Sequence, residues 1–191
     1  MWFIELSLQI QKKLVIAKNK KAMKNTVYLI ILIMFMVPAV NAQKTGQMKA
    51  LLVVDIQNAL TEKKGVYQIS TVIDNVNDAI KKYREKGYLI VFVQHNNIQL
   101  KNGTAKWAID SRLYKTNDDL VVQKSRGNAF NKTDLETILR KNNVEEILVC
   151  GMVTHGCVRA TCKGGLACGF KTALLKNGHT NWNKNASEKI R

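Results

Sequence analysis

A chain of 191 residues, 46% of them hydrophobic, is long enough for one α/β domain with a sizeable core. Lys+Arg 30 against Asp+Glu 14 gives a net charge of +16, but seven of those lysines and a single glutamate lie in residues 1–48. The remaining excess is scattered in Lys-Lys and Lys-Lys-Tyr-Arg steps without a basic–aromatic array, so it reads as a solvated surface that attracts anions weakly, and nucleic acid is not expected as a partner.

Residues 1–22 do not pattern as part of a fold. From Met23 the layout is that of a secretory signal peptide: Lys24, an apolar run of eleven residues from Val27 to Val37, Pro38, then Val40-Asn41-Ala42 as a small-residue cleavage site. The run is short of the roughly 20 residues a spanning helix needs. Removal of residues 23–42 would leave no stable membrane anchor and a periplasmic or secreted protein beginning near Gln43. An uncleaved amphipathic anchor is the alternative, and an unused signal would leave the protein cytoplasmic.

Ala50 to Val54 is a continuous apolar run ending in Asp55, which reads as a central parallel strand with an acid at its carboxyl end. Ile69, Val72, Ile73, Val76, Ile80 and Tyr83 mark one helical face, stopped by Gly87. Tyr88 to Val93 is a second strand ending at Gln94-His95, followed by a polar loop that holds Gly103 and Trp107. Leu120 to Val122 is a third strand reaching Lys124, and Thr133 to Lys141 a helix in which Thr133 and Glu136 suggest a capping box. Ile147 to Cys150, stopped by Gly151, is a fourth strand. Cys157, Val158, Ala160, Thr161 and Leu166 then follow at helical spacing, with the cysteine in the first turn. Lys171 to Leu175 is a fifth strand, and Ala186 starts a last helix.

Strands alternating with helices predict a three-layer α/β/α, Rossmann-like sandwich around a mostly parallel sheet of five to six strands. Ligands of such sheets sit beyond the carboxyl ends of the strands. Asp55, Lys124 and Cys157 each stand at the end of a different strand, so an acid, a base and a thiol are expected on one rim. A cysteine at a helix start has its thiolate favoured by unpaired N–H groups and the dipole, and the same amides can receive an oxyanion. A thiol attacking an amide or ester carbonyl also needs a group that takes its proton and returns it to the leaving amine; an Asp held ionised by a Lys can do this. Taken singly, Cys157 reads as well as a buried structural cysteine, Asp55 as a turn residue and Lys124 as a solvated loop lysine. Their joint placement is what points to chemistry. The four cysteines, Cys150, Cys157, Cys162 and Cys168, show no CxxC or Cys/His ligand spacing, so neither zinc nor a Cys157–Cys162 disulfide is expected.

The segments VVDIQN, VFVQH, GTAKWAI, VVQKSRGNAF and VCGMVTHGCVRAT together resemble the isochorismatase-like cysteine hydrolases, the family that includes the nicotinamidases, from about Met48 to the end of the chain. The resemblance implies a six-stranded parallel α/β/α domain over residues 48–191. It also implies a triad of Asp55 as general acid/base, Lys124 as its electrostatic partner and Cys157 as nucleophile. It further implies a non-proline cis peptide at Met152–Val153 that aims the Val153 and Cys157 amides at the substrate oxygen.

Departures from the family pattern narrow the reading. Nicotinamidases carry metal ligands as D-x-H after the second strand with a further His downstream; here the region is Gln94-His95-Asn96-Asn97-Ile98. No metal and no cofactor are therefore expected, and nicotinamide is disfavoured as substrate. Isochorismatases proper cleave a vinyl ether without a cysteine nucleophile, so Cys157 favours a small amide or related acyl substrate. Gln57, His95, Trp107 and Phe130 are candidate substrate contacts; the alternatives are a turn cap, a satisfied strand-end histidine and, for Trp107, packing of its loop. His155 is expected to face solvent. Gly164-Gly165 inside a helix costs about 1 kcal/mol per residue against alanine, so close packing against a neighbour is expected there, a second subunit of a homo-oligomer being one candidate. The last residues, Asn185 to Arg191, read as a shortened final helix. Two rival readings are a non-catalytic oligomeric binding module and a thiol redox protein, the latter disfavoured by the cysteine spacing.

Overall fold

In the computed structural model, which describes residues 48–184, Ala50 to Val54 are at most 1% exposed and form most of β1 (Met48–Val54). A stretch such as Ala50 to Val54, with no polar side chain on either face, has to be covered on both. Alternation divides its residues between two cores. Ala50, Leu52 and Val54 pack with Val91, Val93 and Val149 beneath Leu135 and Leu139. Leu51 and Val53 pack with Phe92 and Cys150 beneath Ile73, Val76 and Ile80. The result is three layers, as the alternating pattern predicts.

The remaining elements are α1 (Asn58–Thr61), α2 (Ile69–Glu85), β2 (Leu89–His95), β3 (Leu120–Lys124), α3 (Leu135–Lys141), β4 (Val144–Met152), a single π-helical turn (Thr154–Val158), α4 (Arg159–Ala167) and β5 (Lys171–Thr180). The sheet order is β3-β2-β1-β4-β5 with every pair parallel. It has five strands among the described residues, not the six that the resemblance implies. From β1 the chain winds out through β2 and β3, returns, and winds the other way through β4 and β5, so the switch point lies between β1 and β4. Asp55 follows β1 directly, Lys124 ends β3, and Cys157 stands five residues past the end of β4. No helix among the described residues is long and apolar enough to cross a membrane. The upstream segment, the signal peptide and the final helix from Ala186 lie outside the described residues.

Gly151 was expected to stop the fourth strand, yet β4 runs through it to Met152. Its φ is +116°, and a Cβ there would stand 1.9 Å from the Val54 carbonyl oxygen. Glycine is needed because the ends of β1 and β4 meet backbone to backbone, immediately before Asp55. The fifth strand is longer than expected: register passes from Leu174 opposite Val149 to His179 opposite Gly151 across an irregularity. The polar residues Lys176 to Gly178 hide that extension from an apolar-run reading.

One local expectation is corrected and a second is met within the chain. The α3 cap residue is Asp134, without a side-chain cap bond. Thr133 Oγ1 donates to the Ala129 carbonyl and accepts from Leu135 N, while Glu136 pairs with Arg140 one turn on. There is no capping box. Gly164-Gly165 packs within its own chain: a Cβ on Gly164 would stand 2.2 Å from Asn128 Oδ1, and one on Gly165 would stand 2.4 Å from Ile147 Cδ1. The close packing expected of this pair is met by α4 settling on β4 and on the loop after Lys124.

Candidate functional site

A cavity of about 430 Å³ opens over the carboxyl ends of β1, β2 and β4, with Asp55, His95, Met152, Val153 and Cys157 at its base. Asp55 leaves β1 with φ +55°, a left-handed conformation that Asp tolerates better than most side chains. Its Oδ2 accepts from Lys124 Nζ at 2.7 Å, and the two side chains are 3% and 0% exposed. Lys124 Nζ also stands 3.1 Å from His95 Nδ1. An ammonium only donates, so Nδ1 is the acceptor and the imidazole proton sits on Nε2. Burial, and then the Lys124 charge, lower the His95 pKa and keep the ring neutral.

The second carboxylate oxygen, Asp55 Oδ1, is buried and has no hydrogen-bond partner. Cys157 Sγ, an Asp55 oxygen and a His95 ring nitrogen all lie within 4.8 Å of one another. Lys124 and Cys157, 69 and 102 positions beyond Asp55 in the sequence, are thus gathered with it at one spot, and the cysteine is half-buried with access to the cavity.

The local setting of Cys157 corrects the expectation of a stabilised thiolate. The residue lies in the π-turn before α4, not in the first turn of the helix, and Gly156 within that turn is non-helical at φ −107°, ψ −110°. Burial first, and then the Asp55 carboxylate, push the thiol up to about 11, against a smaller opposing pull from Lys124. At neutral pH the sulfur keeps its proton beside an unpartnered carboxylate oxygen. The implied non-proline cis peptide is present between Met152 and Val153. The Val153 carbonyl accepts from Gly156 N at 3.0 Å and Val158 N at 3.3 Å, which ties the turn down beneath the cavity.

The other candidate contacts divide. His95 lines the cavity; Gln57, Trp107 and Phe130 do not. Gln57 is fully buried. Its Oε1 accepts from His95 N at 2.8 Å, and its Nε2 donates to the His95 and Trp107 carbonyls at 3.1 and 2.7 Å. It holds the backbone of His95 and the path of the loop. Gln94 Nε2 donates to the same Trp107 carbonyl at 3.0 Å. Phe130 lies against Phe170 with ring centroids 5.9 Å apart, on the core. His155 is exposed, as expected, and hydrogen-bonds Asn181 Oδ1.

Lys63, Lys106 and Trp182 line the cavity without having been expected there. Trp182 arrives through the end of β5: Thr180 Oγ1 donates to the Tyr67 carbonyl, and Tyr67 N donates to the Asn181 carbonyl at 3.1 Å. No local sequence signal marks that contact. For Lys106 the only signal was its place beside an odd loop tryptophan.

Asp55, His95 and Cys157 would suit a divalent cation by donor type alone. They do not fit one here, because Lys124 Nζ already bridges Asp55 Oδ2 and His95 Nδ1. A metal would be pressed against that ammonium, and among the described residues no further His, Cys, Asp or Glu joins the group to offset the repulsion.

A parallel sheet with a thiol, a carboxylate and an ammonium grouped beside its switch point defines the class, a Rossmann-like domain with a cysteine-centred small-molecule site. Residues 49–189 match the family model of the isochorismatase domain, and the chain belongs to the isochorismatase family of hydrolases. The isochorismatase family protein YrdC of Bacillus subtilis (strain 168) is similar at 27% identity over 136 residues, 68% of this chain and 72% of that one. An N-carbamoylsarcosine amidase of Arthrobacter sp is 27% identical over 153 residues, 68% of this chain and 58% of the amidase. The chain therefore spans little more than half of that relative. Among solved structures, a pyrazinamidase of Pyrococcus horikoshii in complex with zinc is 28% identical with a TM-score of 0.66, over 74% of this chain and 90% of that one.

Proposed function

We propose that the protein is a cysteine amidohydrolase that cleaves a small amide or related acyl C–N bond through a Cys157 thioester. The observation that carries this reading is the gathering of the Cys157 sulfur, an Asp55 oxygen and a His95 ring nitrogen within 4.8 Å, with Lys124 holding Asp55 Oδ2 and Oδ1 left without a hydrogen-bond partner. A buried polar atom left unsatisfied in this way is uncommon and calls for a partner.

Asp55 Oδ1 takes the thiol proton as Cys157 Sγ bonds to the substrate carbonyl carbon. The tetrahedral oxyanion is received by the backbone N–H groups of Val153 and Cys157. Asp55 returns the proton to the amine nitrogen as the C–N bond breaks, leaving an acyl thioester and a free amine. Water then attacks the thioester with Asp55 as base, releasing the acid and restoring the thiol. Lys124 Nζ holds the other carboxylate oxygen, Oδ2, at 2.7 Å through these transfers. His95, held neutral, presents its Nε2–H as a donor to a polar group of the substrate. Turnover of a panel of small amides with mass-spectrometric capture of the acyl adduct tests the reading: the adduct is expected on Cys157 and absent in Cys157→Ala. Turnover that survives Cys157→Ala overturns it.

Export with cleavage near Gln43 and assembly into a homo-oligomer belong to the same proposal. Intact mass of the mature protein and light scattering of the purified protein test them.

A further inference from the structure

The base of the cavity neutralises its own charge, since Asp55 is paired with Lys124. The rim does not. Lys63 and Lys106 both line it, no carboxylate other than Asp55 does, and neither lysine enters an ion pair among the described residues. Glu62, next to Lys63 in sequence, stays out of the cavity and lies close enough to Arg112 for its charge to act there.

The places from which the two lysines reach the rim are built into the backbone. Asn58 N donates to the Ala108 carbonyl at 3.0 Å, Ala59 N to the Lys106 carbonyl at 3.0 Å, and Asn58 Nδ2 to the Ala105 carbonyl at 2.9 Å. These bonds lace α1 to the loop and make one wall of them. Lys106 lies in that wall, and Lys63 stands two residues beyond the end of α1. Lys63 Nζ is 4.6 Å from the centroid of the Trp182 ring, so the ammonium rests on an aromatic face at the cavity mouth. Two like charges facing one small opening raise its positive potential and favour an anion there.

We infer that the substrate carries an anionic group, a carboxylate, on the end remote from its scissile bond, and that Lys63 and Lys106 hold this group while the amide reaches Cys157. This deepens the amidohydrolase reading and rests on it for the identity of the reacting end. The anion site itself can be tested without turnover.

Iodoacetate and iodoacetamide are close in size and differ by one negative charge, so their relative rates of alkylating Cys157 report charge preference at any fixed thiolate fraction. In the full chain the iodoacetate-to-iodoacetamide ratio at Cys157 is expected to exceed that of glutathione by about fivefold at low salt and to fall towards it in about 0.5 M salt. The K63Q/K106Q double variant, checked for native circular dichroism, is expected to lose most of the preference, and K106E to reverse it. A wild-type ratio equal to that of glutathione, a ratio insensitive to both variants, or failure of both reagents to reach Cys157 overturns the anion site.

Hydrolysis is read separately with succinamate against butanamide. A KM about tenfold lower for succinamate, lost in the double variant, supports both readings. Cleavage of both amides with equal KM overturns the anion site alone. A charge-selective alkylation ratio with neither amide cleaved keeps the anion site and removes the hydrolase reading.

Discussion

Two buried carboxylates among the described residues, Asp55 and Asp110, each lie beside a cation and are used differently. Asp110 is saturated. Its Oδ1 accepts from Arg112 N and Nε at 3.0 and 2.9 Å, and its Oδ2 accepts from Arg112 Nη2 and Thr61 Oγ1, both at 2.6 Å. Burial would raise this carboxyl, but the Arg112 fork and the Thr61 hydroxyl outweigh it and bring the pKa down to about 2. Asp55 is half-satisfied: Lys124 holds Oδ2, Oδ1 is buried with no partner, and an Asp55 oxygen lies within 4.8 Å of the Cys157 sulfur. A complete set of bonds fixes a charge in place and ties α1 to the loop; an incomplete set leaves an oxygen able to accept a proton. The number of satisfied lone pairs separates a brace from a reactive group more sharply than burial does.

The comparison is broken most directly at the incomplete site. Asp55→Asn and Cys157→Ser are each expected to lower kcat/KM on a small amide by about 10³-fold or more while the protein stays folded. An Asp55→Asn variant within tenfold of wild type would place the proton transfer elsewhere. Next in size is Gly151→Ala, whose Cβ would collide with the Val54 carbonyl at 1.9 Å. It is expected to cost about 3 kcal/mol, with a depressed melting temperature and loss of activity together, because the ends of β1 and β4 must part.

Asp110→Asn sharpens the other side. Removing the charge from a saturated network is expected to cost about 2 kcal/mol in urea unfolding, with the catalytic constants of the folded fraction retained. The sign with pH follows from the lowered pKa: the stabilisation is complete above the ordinary carboxyl value of 3.8 and is lost as pH falls towards about 2. An acid unfolding scan of wild type against Asp110→Asn is expected to show the difference closing over that window. The smallest effect concerns the thiol. Alkylation of Cys157 is expected to keep rising with pH to an inflection near 11. Asp55→Asn moves the inflection down, since the carboxylate is one cause of the elevation. An unmoved inflection would mean that burial alone sets it.

Much of this arrangement was legible from local text. Asp55, Lys124 and Cys157 could be placed at strand ends because a fully buried parallel strand writes itself as an apolar run with an abrupt polar stop. Their convergence then followed from the topology of parallel sheets. Gln57, Trp107 and Phe130 were assigned to the cavity and do not line it. Whether a side chain beside a strand end points into a pocket, along a loop or into the core depends on partners such as the His95 backbone or Phe170. Trp182, Lys63 and Lys106 were missed for the converse reason, since their position comes from β5 meeting Tyr67 and from α1 being laced to the loop.

The sequence by itself determined the layers, the parallel order of elements and the three reactive residue types, because hydrophobic periodicity and strand-end polarity are properties of neighbours in the chain. The protonation of the thiol, the idle oxygen of Asp55 and the pair of lysines at the cavity mouth were decided only by tertiary structure. Burial, orphaned hydrogen-bond capacity and local field arise from groups many tens of residues apart, and no one-dimensional pattern records them.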